Sequence, residues 1–224
     1  MSVEIGTRRV AGQYVREQAE SIAVSEVWIG VAAVAVLLIG MIIGLPGWML
    51  ILAELAAIAL FLVVSPRVDR DHGRWLRGAK GEEAVGRILE GLAADGWHVI
   101  HDISFGRGNI DHVVVGQGGV FAVETKSHGG RISLDRLDPK MLSQAYAEKK
   151  TLEERLGIEV QPLLVFSRAY LIERPSAKLQ GVTVMTARGI PHYFSRRRPT
   201  LSALEARQIY ERVSFAAGQV PAPA

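Results

Sequence analysis

Apolar and polar positions divide this chain into two unlike parts. Residues 27–64 are almost all apolar, and Glu54 is the one charge in 38 residues. A single helix of that length would be about 57 Å long, well beyond the ~30 Å hydrocarbon core of a bilayer. Leu45-Pro46-Gly47 interrupts the run near its middle, and Pro beside Gly is a turn signal. The pattern predicts two apolar helices, 27–44 and 48–64, each about long enough to span. The rivals are a buried helix pair and a re-entrant hairpin, but charge-free runs of this length seldom occur in soluble cores. Ahead of the run, residues 1–26 mix Arg8, Arg9 and Arg16 with Glu4, Glu17, Glu20 and Glu26. A short amphipathic helix is expected there, with Val10, Tyr14 and Ile22 on its apolar side.

Basic residues beside the apolar run set an orientation. Arg67, Arg70, Arg74, Arg77 and Lys80 follow it, three Arg precede it, and the 45–47 turn has none. The positive-inside rule then places both termini in the cytoplasm, as a two-helix cell-membrane protein with the lipid bilayer as partner. Glu54 inside a span is expensive. It marks either a helix–helix contact, and with it a homo-oligomer, or a position near the headgroups, which is the simpler reading. Residues 65–80 read as a basic juxtamembrane linker. A positive-inside signal suffices to explain it, with anionic lipid or nucleic acid as further partners.

From Gly81 onward the pattern is that of a folded domain. Val85, Ile88, Leu89 and Leu92 recur at helical spacing over 82–95, and Gly96 is a helix stop. Residues 97–101 read as a strand. Two apolar runs, 110–115 and 120–123, flank Gly116-Gln117-Gly118-Gly119 and read as a β-hairpin. A helix follows over 139–156, ended by Gly157, then strands over 160–166 and 181–185. A last helix, 200–215, starts at a Thr or Ser cap. The order is helix, three strands, helix, strand, strand, helix: a mixed α/β domain with a central sheet and helices on its faces. The boundaries expected are 1–26, 27–64, 65–80, a domain over 81–195, and a C-terminal helix and tail over 196–224.

Composition narrows the chemistry. With no cysteine among 224 residues, disulfides, thiolate zinc sites and thiol catalysis are excluded. A net charge of +3 is too mild to indicate nucleic-acid binding alone.

The hairpin carries the candidate chemistry. If its turn is 116–119, Val115 faces Val120, Val113 faces Ala122 and Asp111 faces Glu124. Like charges directly opposed are unfavourable. Lys126 joins the same face, about 6–7 Å beyond Glu124. Two carboxylates and an ammonium on one patch make sense with a divalent cation between the acids. The pattern acid–x–Lys occurs three times, and Asp138/Lys140 and Glu148/Lys150 read as solvated helix charges. Glu82 borders the apolar stripe of its helix and can lean over the sheet edge, although acids favour a helix's first turn anyway. Glu83 is turned toward solvent. His112 points to the face opposite Asp111 and reads as packing or a local hydrogen bond. His98, His101 and His128 lack metal-ligand spacing. Gln144 on the 139–156 helix can reach substrate or a metal-bound water, or simply be exposed.

GAKGEEAVGRILEGL, GNIDHVVVGQGGVFAVETKSHGGRI and the helix with Gln144 together resemble the nuclease-related domain, NERD, of the PD-(D/E)XK nuclease-like superfamily. The resemblance covers about residues 78–185. Its specific parts are Gly78, Gly81 and Glu82 at the helix start, Ile110-Asp111-His112, and Glu124-Thr125-Lys126. It implies a restriction-endonuclease-like αβββαβ core, Asp111 and Glu124 as ligands of Mg²⁺ or Mn²⁺ with Glu82, the helix acid, as a third, and Lys126 as catalytic lysine beside these acids. Ile110 stands where the superfamily has Pro. The expectation is a membrane-anchored, metal-dependent nuclease acting on DNA, less readily RNA, with the Arg196-Arg197-Arg198 run holding the backbone. The alternatives are an inactive membrane-tethered nucleic-acid-binding module and a membrane scaffold.

Overall fold

A computed structural model describes residues 9–105, 108–172 and 175–221, with the side chains of the N-terminal helices described in part. Two compact units make up the chain: Tyr14–Arg77, and Gly78–Ala224 with the N-terminal residues up to Gln13.

Two helices account for the apolar run. Helix α1 spans Gln13–Ile42 and α2 spans Gly47–Glu90. The break between them falls where Pro46 and Gly47 predict it, with Gly44 at φ 73° and the Leu45 amide donating to the Gly40 carbonyl at 3.0 Å. The expected linker over 65–80 is helical, inside α2, which also includes the first domain helix. Among the described residues no helix is long and apolar enough to cross a membrane. The transmembrane hairpin, the membrane location and the bilayer partner expected from the sequence are thus without structural support. Along α1 and α2 Val34, Leu38, Ile39, Ile51, Leu52 and Leu55 are exposed.

The second unit is built on a six-stranded mixed sheet of order β1-β2-β3-β4-β6-β5. Its strands are β1 His98–Ser104, β2 Asn109–Gly116, β3 Gly119–Ile132, β4 Gln161–Leu171, β5 Ser176–Leu179 and β6 Val182–Thr186. Strands β1, β2 and β3 form an antiparallel meander. Helix α3, Pro139–Leu156, is the crossover that lets β4 run parallel to β3. The order from α2 to β4 is helix, three strands, helix, strand, consistent with a nuclease-like core. Two further helices, α4 Ile190–Ser195 and α5 Ala203–Ala216, close the fold.

Side-chain alternation assigns the two faces of the sheet. Val114, Phe121, Val123 and Val165 pack under Val85, Leu89 and Leu92 from the α2 side, with Phe194 of α4. Val113, Val115, Val120 and Ala122 face the other way, against Leu152 of α3 and Ala206, Tyr210 and Val213 of α5. Each such fully buried aliphatic side chain contributes roughly 1.5–3 kcal/mol. Punctuation matches the pattern closely at α3: Asp138 caps it by accepting from the Lys140 amide, Pro139 opens it, and Gly157 at φ 62° ends it. Gly96 at φ 80° stops the first domain helix, whose last turn, Gly91–Asp95, is 3₁₀. Ser202 caps α5 in a reciprocal pair with Glu205.

Three elements differ from expectation. Strand β5 is short, polar and on the sheet edge, so no apolar alternation announced it. Helix α4 has six residues, too few for a periodicity to show. The helix expected within 1–26 begins at Gln13, as part of α1; Tyr14 and Ile22 of its expected apolar side lie outside the described side chains, and ahead of it Val10 is exposed while Ala11 is buried. Residues 9–13 pack on the domain. The Arg9 amide donates to Gln219 Oε1 at 3.2 Å, the Gln13 amide to Asp102 Oδ2 at 2.7 Å, and Gln219 Nε2 to the His101 carbonyl at 2.7 Å. Gly12 is required there: at φ +75° a Cβ would stand 2.9 Å from the Ala79 carbonyl oxygen.

Candidate active site

The hairpin register is the one its turn dictates: Val115 pairs with Val120 and Val113 with Ala122. One step beyond the last ladder pair, His112 with Val123, Asp111 comes opposite Glu124. There the ladder yields to a side chain, because the Thr125 amide donates to Asp111 Oδ2 at 2.7 Å. Both acids are buried. Lys126 Nζ donates to Glu124 Oε1 at 2.5 Å and to Gln144 Oε1 of α3 at 2.8 Å. Two of the ammonium's three hydrogens are thereby engaged.

Helix α2 brings Glu82 to the same place, and it too is buried. Burial, with the charges of Asp102 and Glu124, pushes its carboxyl from 4.5 up to about 8. Burial, then the Glu124 and Glu82 charges, raises Asp111 well above the usual carboxylate range, against the opposing Thr125 amide and Lys126. Glu83 is half-buried rather than solvent-facing.

A fourth acid was not anticipated. Glu148 of α3 is 7% exposed, whereas the sequence reading made it a solvated helix charge. Burial first, then the Glu124 charge, raises its carboxyl well above its ordinary value. Gln144 Nε2 donates to Glu148 Oε1 at 3.4 Å. The signal was present in the helical phase: Leu142, Ala145, Glu148 and Leu152 form the buried face of α3.

Four carboxyl groups and one lysine therefore act on one another at one end of the hairpin, and three of the carboxyls are shifted toward their neutral form. Glu82 Oε2, Glu124 Oε2 and Glu148 Oε2 are buried without a hydrogen-bond partner. Buried orphaned oxygens are costly, and hard oxygen donors are what Mg²⁺ or Mn²⁺ takes. Among the described residues no three His, Asp or Glu side chains are gathered to hold one ion. The donor set fits a metal held by one or two carboxylates and completed by water or phosphate, the usual manner of Mg²⁺. Glu124 carries one of the orphaned oxygens, and Asp111 lies opposite it across the hairpin, one step beyond the His112–Val123 pair.

The other candidates lie elsewhere. His112 is fully buried on the opposite face, its Nδ1 2.9 Å from Nδ1 of His101, whose Nε2 lies 3.1 Å from Glu90 Oε1. That is the local hydrogen bond expected. The Arg196–Arg198 run is at the turn end of the hairpin, where a Cβ on Gly118 would meet Arg197 Cβ at 2.6 Å. Asp111 is about 17 Å away along β2 at ~3.3 Å per residue.

Residues 77–167 match the family model of the nuclease-related domain, NERD. The match includes Glu82, Asp111, Glu124, Lys126, Gln144 and Glu148, and leaves out α5 and the Arg196–Arg198 run. An uncharacterized protein of Bacillus anthracis is 34% identical over 84 residues, 35% of this chain and 39% of that protein. The chain thus spans about two fifths of that relative's length. No solved structure matches.

Proposed function

We propose that this chain is a divalent-metal-dependent phosphodiesterase that cleaves DNA. The observation that carries the reading is the cluster of buried carboxylates with orphaned oxygens around Lys126. A fold gains nothing in stability from such a cluster, whereas a cation-dependent site requires it. The NERD match over the same residues supports it independently.

Asp111 and Glu124 would hold Mg²⁺ or Mn²⁺. When bound, the ion supplies Lewis-acid polarisation of a phosphoryl oxygen and acidifies a water. The chain's own residues do the rest. The Thr125 amide fixes Asp111 Oδ2 and so the angle at which that carboxylate is presented. Gln144 and Glu124 hold the Lys126 ammonium between them, leaving one N–H for a phosphate oxygen or the attacking water, where its charge offsets that developing on phosphorus. Glu82, with its carboxyl raised to about 8, is suited to take or hold a proton near neutral pH, and Glu148 is shifted in the same direction.

We extend the proposal to membrane anchoring by the apolar hairpin. Its support is the sequence of 27–64 with its single charge and the exposed Val, Leu and Ile side chains of α1 and α2. Flotation of the full chain with lipid vesicles tests this part. Recovery in the aqueous layer sinks the anchor and leaves the nuclease reading standing.

The test of the activity uses circular single-stranded DNA, circular duplex DNA and RNA, with Mg²⁺, Mn²⁺ or EDTA. Wild type is compared with Asp111→Ala and Lys126→Ala. Cleavage that needs metal and is lost in both variants is expected. A folded, metal-binding chain that cuts nothing would leave a nucleic-acid-binding module in its place.

A further inference from the structure

Beside the carboxylates lies a cavity of about 180 Å³ between the start of β2 and the flank of α3 that carries Gln144, Ala147 and Glu148. It is lined by Phe105, Asn109 and Ile110 on one side and by Gln144, Ala147 and Glu148 on the other. Gln144 and Glu148 belong at once to this cavity and to the Lys126 cluster, so the two spaces are neighbours. The volume is below the ~300–1,000 Å³ that encloses a drug-sized ligand. It suits one heterocyclic ring and not a base pair.

The walls are chemically mixed. Phe105 offers an aromatic surface, and its ring has the Arg155 guanidinium 4.8 Å from its centroid. Ile110 and Ala147 are apolar. Asn109 Oδ1 is a buried oxygen without a partner, and the buried Glu148 carboxyl, which hydrogen-bonds with Glu124, lies across from it. The amide of Asn109 is not free to reverse its role: Asn109 Nδ2 donates to Asp102 Oδ1 at 3.2 Å, which leaves Oδ1 as acceptor. Flat, part-apolar walls with an unsatisfied amide acceptor at Asn109 match a planar ring bearing an exocyclic amino group. Aromatic stacking with amide or carboxylate contacts to such amino groups is how proteins read single bases.

We propose that this cavity is a subsite for one unpaired nucleobase next to the scissile phosphate, so that the chain acts on single-stranded DNA and prefers cytosine or adenine to thymine there. The inference rests on the nuclease reading of the adjoining carboxylates. A base inside a duplex does not enter a space of this size without leaving its stack, which costs a few kcal/mol. Single-stranded DNA avoids that cost.

Ala147 is exposed on α3, so Ala147→Trp closes the cavity without opening the core. Binding is measured on the full chain with end-labelled oligonucleotides in Ca²⁺, and cleavage in parallel with Mg²⁺. Oligo-dC is expected to bind wild type at least about 5-fold more tightly than either oligo-dT or an oligo-dC carrying abasic residues. Ala147→Trp is expected to abolish the difference and to lower the preference for single-stranded over duplex circles in the cleavage assay. Asn109→Leu, with a smaller steric change, should remove the dC-over-dT preference alone. Base-dependent binding without cleavage upholds the subsite and fells the nuclease reading. Cleavage with no dependence on the base, or with a dependence that Ala147→Trp leaves intact, overturns the subsite and spares the nuclease. Neither binding nor cleavage overturns both.

Discussion

The β2–β3 hairpin has two ends that are built in opposite ways. At the turn, contact is as close as atoms allow. A Cβ on Gly116 would stand 2.4 Å from the Trp97 ring, and that ring packs edge-on against Phe121 and Phe194 at 5.7 and 4.8 Å between centroids. The Gln117 carbonyl accepts from the Thr200 and Leu201 amides at 2.8 and 2.9 Å. At the other end the same two strands open onto Asp111 and Glu124, and α2 and α3 add two more buried acids. There the oxygens outnumber their donors. One end gives the hairpin its register by packing. The other uses that register to hold like charges together, which no isolated hairpin would do. The difference teaches where stability and chemistry reside: substitutions at the turn should cost stability, and substitutions at the open end should cost activity.

The largest effect expected is at the open end. Glu124→Ala should lower metal-dependent cleavage by at least ~10³-fold, the equivalent of several kcal/mol of transition-state charge stabilisation. Its unfolding temperature in EDTA should stay equal to wild type or rise, because one of four crowded carboxylates is gone. Lys126→Ala should cost ~10²–10³-fold, as for removal of a single electrostatic stabiliser. A cleavage rate unchanged in Glu124→Ala would remove the site from this end of the hairpin.

At the turn the expected loss is of another kind. Gly116→Ala forces the Trp97 ring aside, and overpacking of this sort costs about 1–3 kcal/mol. Chemical denaturation should show that loss, while turnover per folded molecule stays near wild type. If Gly116→Ala abolished turnover at full stability, the two ends would not be separable.

Titration in the absence of metal sharpens the comparison. Glu82 has its carboxyl raised from 4.5 to about 8 by burial and by the Asp102 and Glu124 charges. The unfolded chain therefore loses this proton before the folded chain does. Between about pH 4.5 and about 8 the unfolded state binds fewer protons, so stability falls as pH rises through that window. Asp111 and Glu148 are shifted in the same direction and add to the slope. In EDTA the unfolding temperature should decline from pH 5 to pH 8, and Mg²⁺ should restore it most at pH 8. Glu82→Gln should flatten the decline. A decline as steep in Glu82→Gln as in wild type would place the titrating groups elsewhere.

Much of this was legible because strong punctuation surrounds it. A Gly-rich turn centred between Gln117 and Gly118 suggests a register, the ladder has that register, and it puts Asp111 opposite Glu124. Pro139 and Gly157 bound α3 with no tertiary information. Other features depend on contacts remote in the chain. Residues 9–13 are held by Asp102 and Gln219, partners that no local pattern announces. Strand β5 exists because β6 offers it an edge. Glu148 is the instructive omission. Acid–x–Lys patterns elsewhere made it look like a surface pair, whereas its phase with Leu142, Ala145 and Leu152 assigned it inward. The apolar hairpin is the reverse case. Its two helices follow from the sequence, but what surrounds them does not follow from their secondary structure.

The smallest effect expected is at Gln144, and it tests how the open end is held together rather than whether it acts. Gln144 is exposed on α3, and its carbonyl oxygen is the second acceptor for Lys126 Nζ, at 2.8 Å. With Gln144→Ala the ammonium keeps only Glu124, and a lysine with one acceptor samples more rotamers. A hydrogen bond to a charged group is worth about 1.5–3 kcal/mol when sheltered, and its exposure here reduces that. A fall in kcat of roughly 5- to 10-fold is expected, at ~1.4 kcal/mol per decade, and it should persist on a substrate with an abasic residue at the subsite, where the loss of a cavity wall has no base to act on. Gln144→Glu should not rescue it. A fifth carboxylate beside Glu148 would draw the ammonium away from Glu124 and raise the proton affinity of Glu148 further. A rise in KM with kcat intact on both substrates would limit Gln144 to its place in the cavity wall, and Lys126 would then be positioned by Glu124 alone.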